Sequence, residues 1–397
     1  MRTSELEYDF DPSLVATEPA HPRDAARLMV VERTTRAITH AFVRDLPRFL
    51  RSGDALVVNR TSVLRARVLV RDATSGRATE GLLLEPCAER DCWRILLRQA
   101  KRFTPQTLLR LIDHAGIESD DALELVARDG EAWIARLRPG ARGGDVAAML
   151  ERSGHTPLPP YILKARRDAG IEVDDDEDRA EYETVYADHT ARGSVAAPTA
   201  GLHFTSELLQ QISAQGIPTH EVILHVGAGT FKPVDVEDLH DHPMHTESFH
   251  VPASTLETLN ATRLARSHGQ ARLIAVGTTT VRALESLPEP LPSSSRDDAQ
   301  HATGFGGLTN ILISPGYQFR HVDALLTNFH LPRSTLLALV GAFLGMQAGA
   351  GANTGANTGA STAASTRASM EFLREVYAVA VRERYRFYSY GDAMLIL

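Results

Sequence analysis

The segment Gly193-Ser-Val-Ala-Ala-Pro-Thr-Ala-Gly-Leu-His-Phe-Thr205 limits the fold more than any other part of the chain. It carries too few β-branched residues for a core strand, and Pro198 and Gly201 lie where a helix interior would have to be. The reading left is an ordered loop whose backbone approaches something closely and presents one titratable side chain, His203, near its end. Taken alone, a tight strand-to-helix connection is the better account of it.

Flanking patterns point to an α/β fold. Asp45 can cap a short helix that Gly53 stops, and Ala55-Leu-Val-Val58 reads as a buried strand. Thr205 caps a helix with Leu208, Leu209 and Ile212 on one face. Glu221–Val226 is a strand entering a Gly-Ala-Gly turn, and Arg272–Val276 is a strand entering Gly277 and three threonines before a helix. Ser334 opens an apolar helix through Leu344. Strand–turn–helix units in this order predict a mixed α/β main domain. Between Val63 and about Arg138 short alternating runs replace them, which predicts a small inserted β-barrel. The expected domains are 1–62 and 151–397 for the main domain and 63–150 for the barrel. Pro292–Gly307 and 347–369 are so poor in large apolar side chains that both are expected to be unstructured, the second as a disordered insert.

Two cysteines, Cys87 and Cys92, make neither a disulfide framework nor a zinc site. No run of about 20 apolar residues predicts a membrane span, and Met1-Arg-Thr-Ser-Glu5 lacks the apolar core of a signal peptide. These features point to the cytoplasm. A net charge of −8 argues against indiscriminate nucleic-acid coating but permits a local basic face. Lys164, Arg166 and Arg167 form one candidate, with a solvated surface as the plain alternative.

Gly277 followed by Thr278, Thr279 and Thr280 after a strand is a good anion cradle, since free N–H groups and hydroxyls converge at a helix start. Simple N-capping would use only one hydroxyl. Gly227-Ala-Gly229 lacks the third glycine of a dinucleotide fingerprint, and there is no phosphate loop with Gly-Lys-Ser/Thr. His240, His242, His245 and His250 match no standard zinc spacing. The His-x-Glu at 245–247 has no downstream Cys pair, so a zinc deaminase is excluded and no metal is expected. His245 and Glu247 alternate onto one face of an extended segment and form a candidate general acid/base pair, or else a surface salt bridge.

The ordered blocks Gly193–Thr205, Leu224–Val234, His242–Glu247, Ala275–Ser286, Pro315-Gly-Tyr317, Thr327–Leu337 and Tyr385–Met394 resemble the S-adenosylmethionine:tRNA ribosyltransferase-isomerase family of the queuosine pathway. The resemblance implies a reaction. The ribosyl part of S-adenosylmethionine moves to the aminomethyl group of a deazaguanine at the tRNA wobble position. Adenine and methionine leave, and the ribose rearranges to give epoxyqueuosine-tRNA. S-adenosylmethionine is then a substrate, and no cofactor is implied. The partner is a tRNA anticodon stem-loop, bound by a monomer. Within the matching motifs His245, Glu247, His203 and Asp392 are the catalytic candidates. Thr199, Gly201, His225, Gly227, Gly229, Thr230, Thr278, Thr279, Arg282, Asn328, His330, Arg333, Tyr388 and Tyr390 are the binding candidates. Asn328 suits a base edge, Arg333 a phosphate or carboxylate, and the two tyrosines stacking. The chain departs from the family pattern at Arg60, Ser62, Glu183 and Asn310. A non-catalytic or altered-acceptor tRNA-binding paralogue is therefore the alternative, and an S-adenosylmethionine-dependent methyltransferase a more distant one.

Overall fold

Four short apolar runs build the parallel centre of the main sheet. The computed structural model describes residues 1–397 apart from 173, 228–233, 293–302 and 346–358. The main sheet begins with β1 (Arg27–Glu32), β2 (Ala37–Phe42) and β3 (Ala55–Asn59). The chain then leaves it through β4 (Ser62–Val63) and the barrel strands β5 (Arg67–Asp72), β6 (Ala78–Pro86), β7 (Cys92–Leu97), β8 (Leu108–Ile112), β9 (Glu118–Asp129) and β10 (Ala132–Arg138). Helix α1 (Val146–Ser153), β11 (Gly154–His155), α2 (Pro160–Ala169), α3 (Asp175–Glu181) and β12 (Arg192–Ser194) lead back. The rest is α4 (Ser206–Ala214), β13 (Thr219–Leu224), β14 (Glu247–Pro252), α5 (Ala253–Ser267), β15 (Leu273–Val276), α6 (Thr278–Glu285), β16 (Gly304–Thr309), β17 (Ala324–Asn328), α7 (Thr335–Leu344), α8 (Gly359–Arg382) and β18 (Ala393–Ile396).

The main sheet has the order β16-β14-β13-β3-β15-β17-β18-β1-β2. Strands β13, β3, β15 and β17 are mutually parallel, and β18 runs antiparallel to β17. Every residue of β3, β15, β17 and β18 is buried, as expected for strands covered on both faces. Alternation divides them between two cores. Val57, Ala275 and Leu325 pack with α6, α7 and α8, whereas Leu56, Val58, Ile274 and Leu326 pack with α4.

The barrel closes when β5 pairs with both β6 and β8, so six antiparallel strands surround Val68, Leu83, Ile95, Leu111, Leu123 and Trp133. The Trp133 indole donates to the Ala100 carbonyl at 3.3 Å, which satisfies the one polar atom of that side chain. β4 pairs in parallel with β12 and ties the two chain crossings together. Among the described residues no helix is long and apolar enough to cross a membrane.

Two expectations need correction. The segment 347–369 is not wholly without structure: α8 begins at Gly359, and Ser369 is buried with its hydroxyl bonded to the Gly341 carbonyl. Alanine is the best helix former, so a segment too small-chained to build a core of its own still forms a helix once Met370, Phe372 and Leu373 anchor it. Residues 346–358 lie outside the described residues. Likewise Gly304–Gly307 are strand, since β16 completes the sheet edge along β14. The Asp45 side chain accepts from the Phe42 N–H, and the helix it starts, Val43–Arg48, is a 3-10 turn containing Pro47.

Candidate active site

The carboxyl ends of the parallel strands point to one place. A cleft there has about 700 Å³ of empty space, counting its solvent-open mouth. Its wall combines Ala196–Ala200, Val226 beyond β13, Gly277–Thr279 beyond β15, Thr327–Leu331 at the end of β17, Ser334 and Leu336 of the α7 start, and Tyr388 and Ser389 before β18. Five segments singled out by their sequence therefore meet in one crevice, where open α/β sheets bind their ligands. Gly277 reaches this position with φ 91°, a conformation that favours glycine, and so turns the chain from β15 into α6 without a Cβ.

Asn328 holds the cleft floor together. Its Oδ1 accepts from the Thr199 hydroxyl at 2.9 Å, and its amide donates to the Tyr388 carbonyl at 3.1 Å and to His203 Nε2 at 3.2 Å. The amide is thus used by the protein and is not free to read a base edge, as the sequence suggested. His203 is buried behind it and outside the cleft wall. Burial, with Arg386 and Arg23 adding repulsion, pulls its pKa down to about 3, so it is a neutral acceptor that positions Asn328 rather than an acid. His330 does line the cleft. Its Nε2 lies 2.9 Å from the Thr327 hydroxyl, and burial lowers its pKa to about 3 as well.

Two of the three threonines line the cleft. Thr278 and Thr279 are in its wall, and Asn59 donates to Thr279 Oγ1 at 3.3 Å while clamping both backbone groups of Leu224. The Thr280 hydroxyl instead donates to the Val276 carbonyl, the usual bond of a threonine inside a helix.

His245 and Glu247 do not form the expected pair. His245 is exposed before β14, and Glu247 is buried in its first position. Glu247 Oε1 accepts from the Gly227 N–H at 3.0 Å, and Oε2 lies 2.5 Å from Arg282 Nη1. The alternation argument fails because strand geometry starts only at Glu247. Arg282 Nε and Nη2 are buried without a hydrogen-bond partner among the described residues.

Other candidates have structural tasks. Asp392 accepts from the Arg27 and Arg386 N–H groups at 3.0 and 2.7 Å and lies outside the cleft wall. Arg333 bridges Glu7 at 3.1 Å and the Val234 carbonyl. Tyr390 packs edge-on against Tyr182, its ring centroid 5.9 Å away, while Tyr388 is in the wall. A Cβ on Gly201 would come within 2.0 Å of the Tyr186 hydroxyl, so its close approach is to protein. His225 lies behind the cleft, its Nδ1 2.9 Å from the Thr61 hydroxyl, and Gly227 serves Glu247. Gly229 and Thr230 lie outside the described residues.

In the basic cluster Arg166 is buried, 2.6 Å from Asp178, and is lost to any nucleic-acid face. Lys164 pairs with Asp168 at 2.9 Å on the surface, and Arg167 is exposed. One group among the described residues has metal-ligand spacing: His114, His155 and Asp175. Arg65 donates to His114 Nε2 at 2.9 Å, which leaves the proton on Nδ1, the atom facing Asp175. The cluster therefore reads as two imidazoles set 3.6–3.8 Å from a carboxylate whose Oδ1 accepts from the Thr156 N–H, and His155 and that N–H hold it at a pKa of about 2 against the effect of burial.

Tyr161 and Tyr182 line the cleft and were not singled out from the sequence, while Thr327 and Ser389 lie in matching blocks but were not named as site candidates. The Tyr161 and Ser389 hydroxyls are 2.5 Å apart, and burial pushes the Tyr161 phenol up to about 12. Pro159-Pro160 before Tyr161 was the available signal, since it fixes a helix start and the direction of its first aromatic. Three of the four departures find partners: Ser62 donates to Glu183 Oε1 at 2.6 Å, and Arg60 pairs with Glu221.

The sequence matches the family described as queuosine biosynthesis protein over residues 3–356 and 361–396. Relatives named S-adenosylmethionine:tRNA ribosyltransferase-isomerase include one from Rubrobacter xylanophilus, 43% identical over 399 residues, which covers 100% of this chain and 98% of its own. Another, from Symbiobacterium thermophilum, is 41% identical over 397 residues, covering 100% of both chains. A crystal structure of S-adenosylmethionine tRNA ribosyltransferase from Thermotoga maritima is 32% identical, covers 99% of this chain and 100% of that one, and superposes with a TM-score of 0.47.

Proposed function

This chain belongs to the queuosine biosynthesis protein family, and from that premise we propose that its cleft carries out the S-adenosylmethionine:tRNA ribosyltransferase-isomerase reaction. The observation that supports the reading is the meeting of five motif segments at the carboxyl ends of β13, β15 and β17. The wall offers what the two substrates need. Tyr161, Tyr182 and Tyr388 supply aromatic faces for adenine or the deazaguanine. Thr278, Thr279 and the N–H groups starting α6 suit the methionine carboxylate. The sulfonium acidifies the ribose carbon beside it, and no resident cofactor or metal is assigned a step. His330 is the imidazole in the cleft wall among the described residues, and it takes the role of proton acceptor at that carbon. Burial lowers its pKa to about 3, which leaves it unprotonated at neutral pH but a weak base, so the acidity of the carbon beside the sulfonium has to supply the drive for the transfer.

The experiment is direct. Purified protein is incubated with S-adenosylmethionine and an anticodon hairpin carrying the aminomethyl-deazaguanine, and products are read by mass spectrometry. Adenine, methionine and a ribosylated hairpin are expected; S-adenosylhomocysteine or no product refutes the reading. His330→Gln should lower turnover by ~10²–10⁴-fold and abolish exchange of deuterium placed on the ribose carbon next to sulfur. Undiminished exchange removes His330 from that role.

A further inference from the structure

Beside the cleft, and sharing the wall residue Tyr182 with it, a second recess of about 320 Å³ lies between barrel and main domain. Three arginines, from α3, β12 and the connection between β4 and β5, converge there on one carboxylate. Glu151 of α1 lies 2.6 Å from Arg192 Nη1, 3.1 Å from Arg179 Nη2 and 3.9 Å from Arg65 Nε. The Arg65 side chain is only 9% exposed, and its Nε has no hydrogen-bond partner. Its Nη1 is spent on His114 and the Glu151 carbonyl. Of the other carboxylates nearby, Glu183 Oε1 accepts from Ser62 and the Val63 N–H and Asp175 Oδ1 from the Thr156 N–H, while Asp175 Oδ2 is buried without a hydrogen-bond partner among the described residues. One carboxylate therefore faces three guanidinium groups and leaves a buried donor unused.

We infer that this recess is a phosphodiester subsite for the RNA substrate, and that Glu151 holds the anion's place in the free protein. The inference rests on the proposed function. Guanidinium forks fit phosphate oxygens in pairs, and a phosphate can engage Arg65 Nε where Glu151 reaches it poorly. An enzyme acting on a base in a folded RNA must draw that nucleotide out of its stack. The flanking backbone then remains at the cleft mouth, where contacts to phosphate fix its register. Glu151 is 36% exposed on a surface helix, so its side chain has a route into solvent when the phosphate replaces it on Arg179 and Arg192.

The test uses the anticodon hairpin and fluorescence anisotropy across a KCl series. Arg179→Ala/Arg192→Ala should weaken hairpin binding about tenfold and reduce the slope of log K against log salt by about 1, with S-adenosylmethionine affinity and melting temperature unchanged. Glu151→Gln should tighten hairpin binding severalfold, the opposite of what loss of a merely structural residue gives. A hairpin with a neutral methylphosphonate beside the modified nucleotide should lose affinity for the wild type and no further affinity for the double variant. Unchanged affinity and slope in the double variant, or weaker binding by Glu151→Gln at an unchanged melting temperature, overturns the subsite. Adenine release by the wild type is measured separately: its absence refutes the proposed reaction, whereas the binding series alone decides the subsite.

Discussion

Glu247 and Arg282 form a buried ion pair 2.5 Å apart, joining the first residue of β14 to the middle of α6. Removing one charge leaves the other buried and uncompensated, which typically costs about 3–5 kcal/mol. Glu247→Gln should therefore lower the free energy of unfolding in urea by that amount, and Glu247→Leu/Arg282→Met should recover most of it. A single variant within ~0.5 kcal/mol of wild type would show the pair to be solvated.

Acid should destabilise the protein through its neutral histidines. His203 and His330 have pKa values of about 3 in the fold, against ~6.5 unfolded. Between these values the unfolded chain binds the extra proton, so stability is fully present above ~6.5 and falls as the pH drops, by up to about 1.4 kcal/mol per unit for each group. His203→Gln should shrink the difference in unfolding free energy between pH 7 and pH 5 by about 1–2 kcal/mol. An unaltered difference would mean that His203 is protonated in the fold.

Asn328→Ala would strand three partners at once: the Thr199 hydroxyl, His203 Nε2 and the Tyr388 carbonyl. Each buried group left unpaired costs about 1–3 kcal/mol. A loss of at least ~2 kcal/mol is expected, together with a raised KM for S-adenosylmethionine as Tyr388 loses its anchor. Normal KM in a stable variant would detach this network from the cleft.

Arg166 and its neighbours should separate by experiment. Arg166→Ala breaks a buried pair with Asp178 and should cost about 3–5 kcal/mol. Lys164→Ala/Arg167→Ala touches only surface charges and should change stability by less than ~0.5 kcal/mol. Equal effects in urea titrations would contradict the burial of Arg166.

Deletions at the start of α8 give a sharper boundary. Replacing 348–357 with a short Gly-Ser linker should leave the melting temperature near wild type, since that stretch offers little apolar surface to bury. Extending the deletion through Ser369 removes a buried hydroxyl bonded to the Gly341 carbonyl and should cost about 1–3 kcal/mol. Equal melting temperatures for the two deletions would make the first turns of α8 dispensable.

The sequence by itself determined the fold class and part of its elements, among them β3, β13, β15, α4, α6 and α7. Buried strands declare themselves by continuous apolar runs such as Leu273–Val276, barrel strands by alternation, and helix starts by caps such as Thr205 and Ser334, whose side chains do accept from Leu208 and Leu337 N–H groups. These are local signals, set by backbone period and capping chemistry. The motif segments were equally legible, and the cleft is built from them. What each polar side chain does there was decided by tertiary structure alone. A hydrogen bond is fixed by whatever the fold brings within about 3 Å, and nothing near His203 in the chain announces Asn328, 125 residues away. Glu247 looked paired with His245 by spacing, yet it meets Arg282 because β14 begins at residue 247 and α6 passes beside it. Ser62 and Glu183 read as separate departures and are one hydrogen bond. Spacing within a segment fixes which face a side chain takes, whereas burial and partner depend on the long-range pairing of segments.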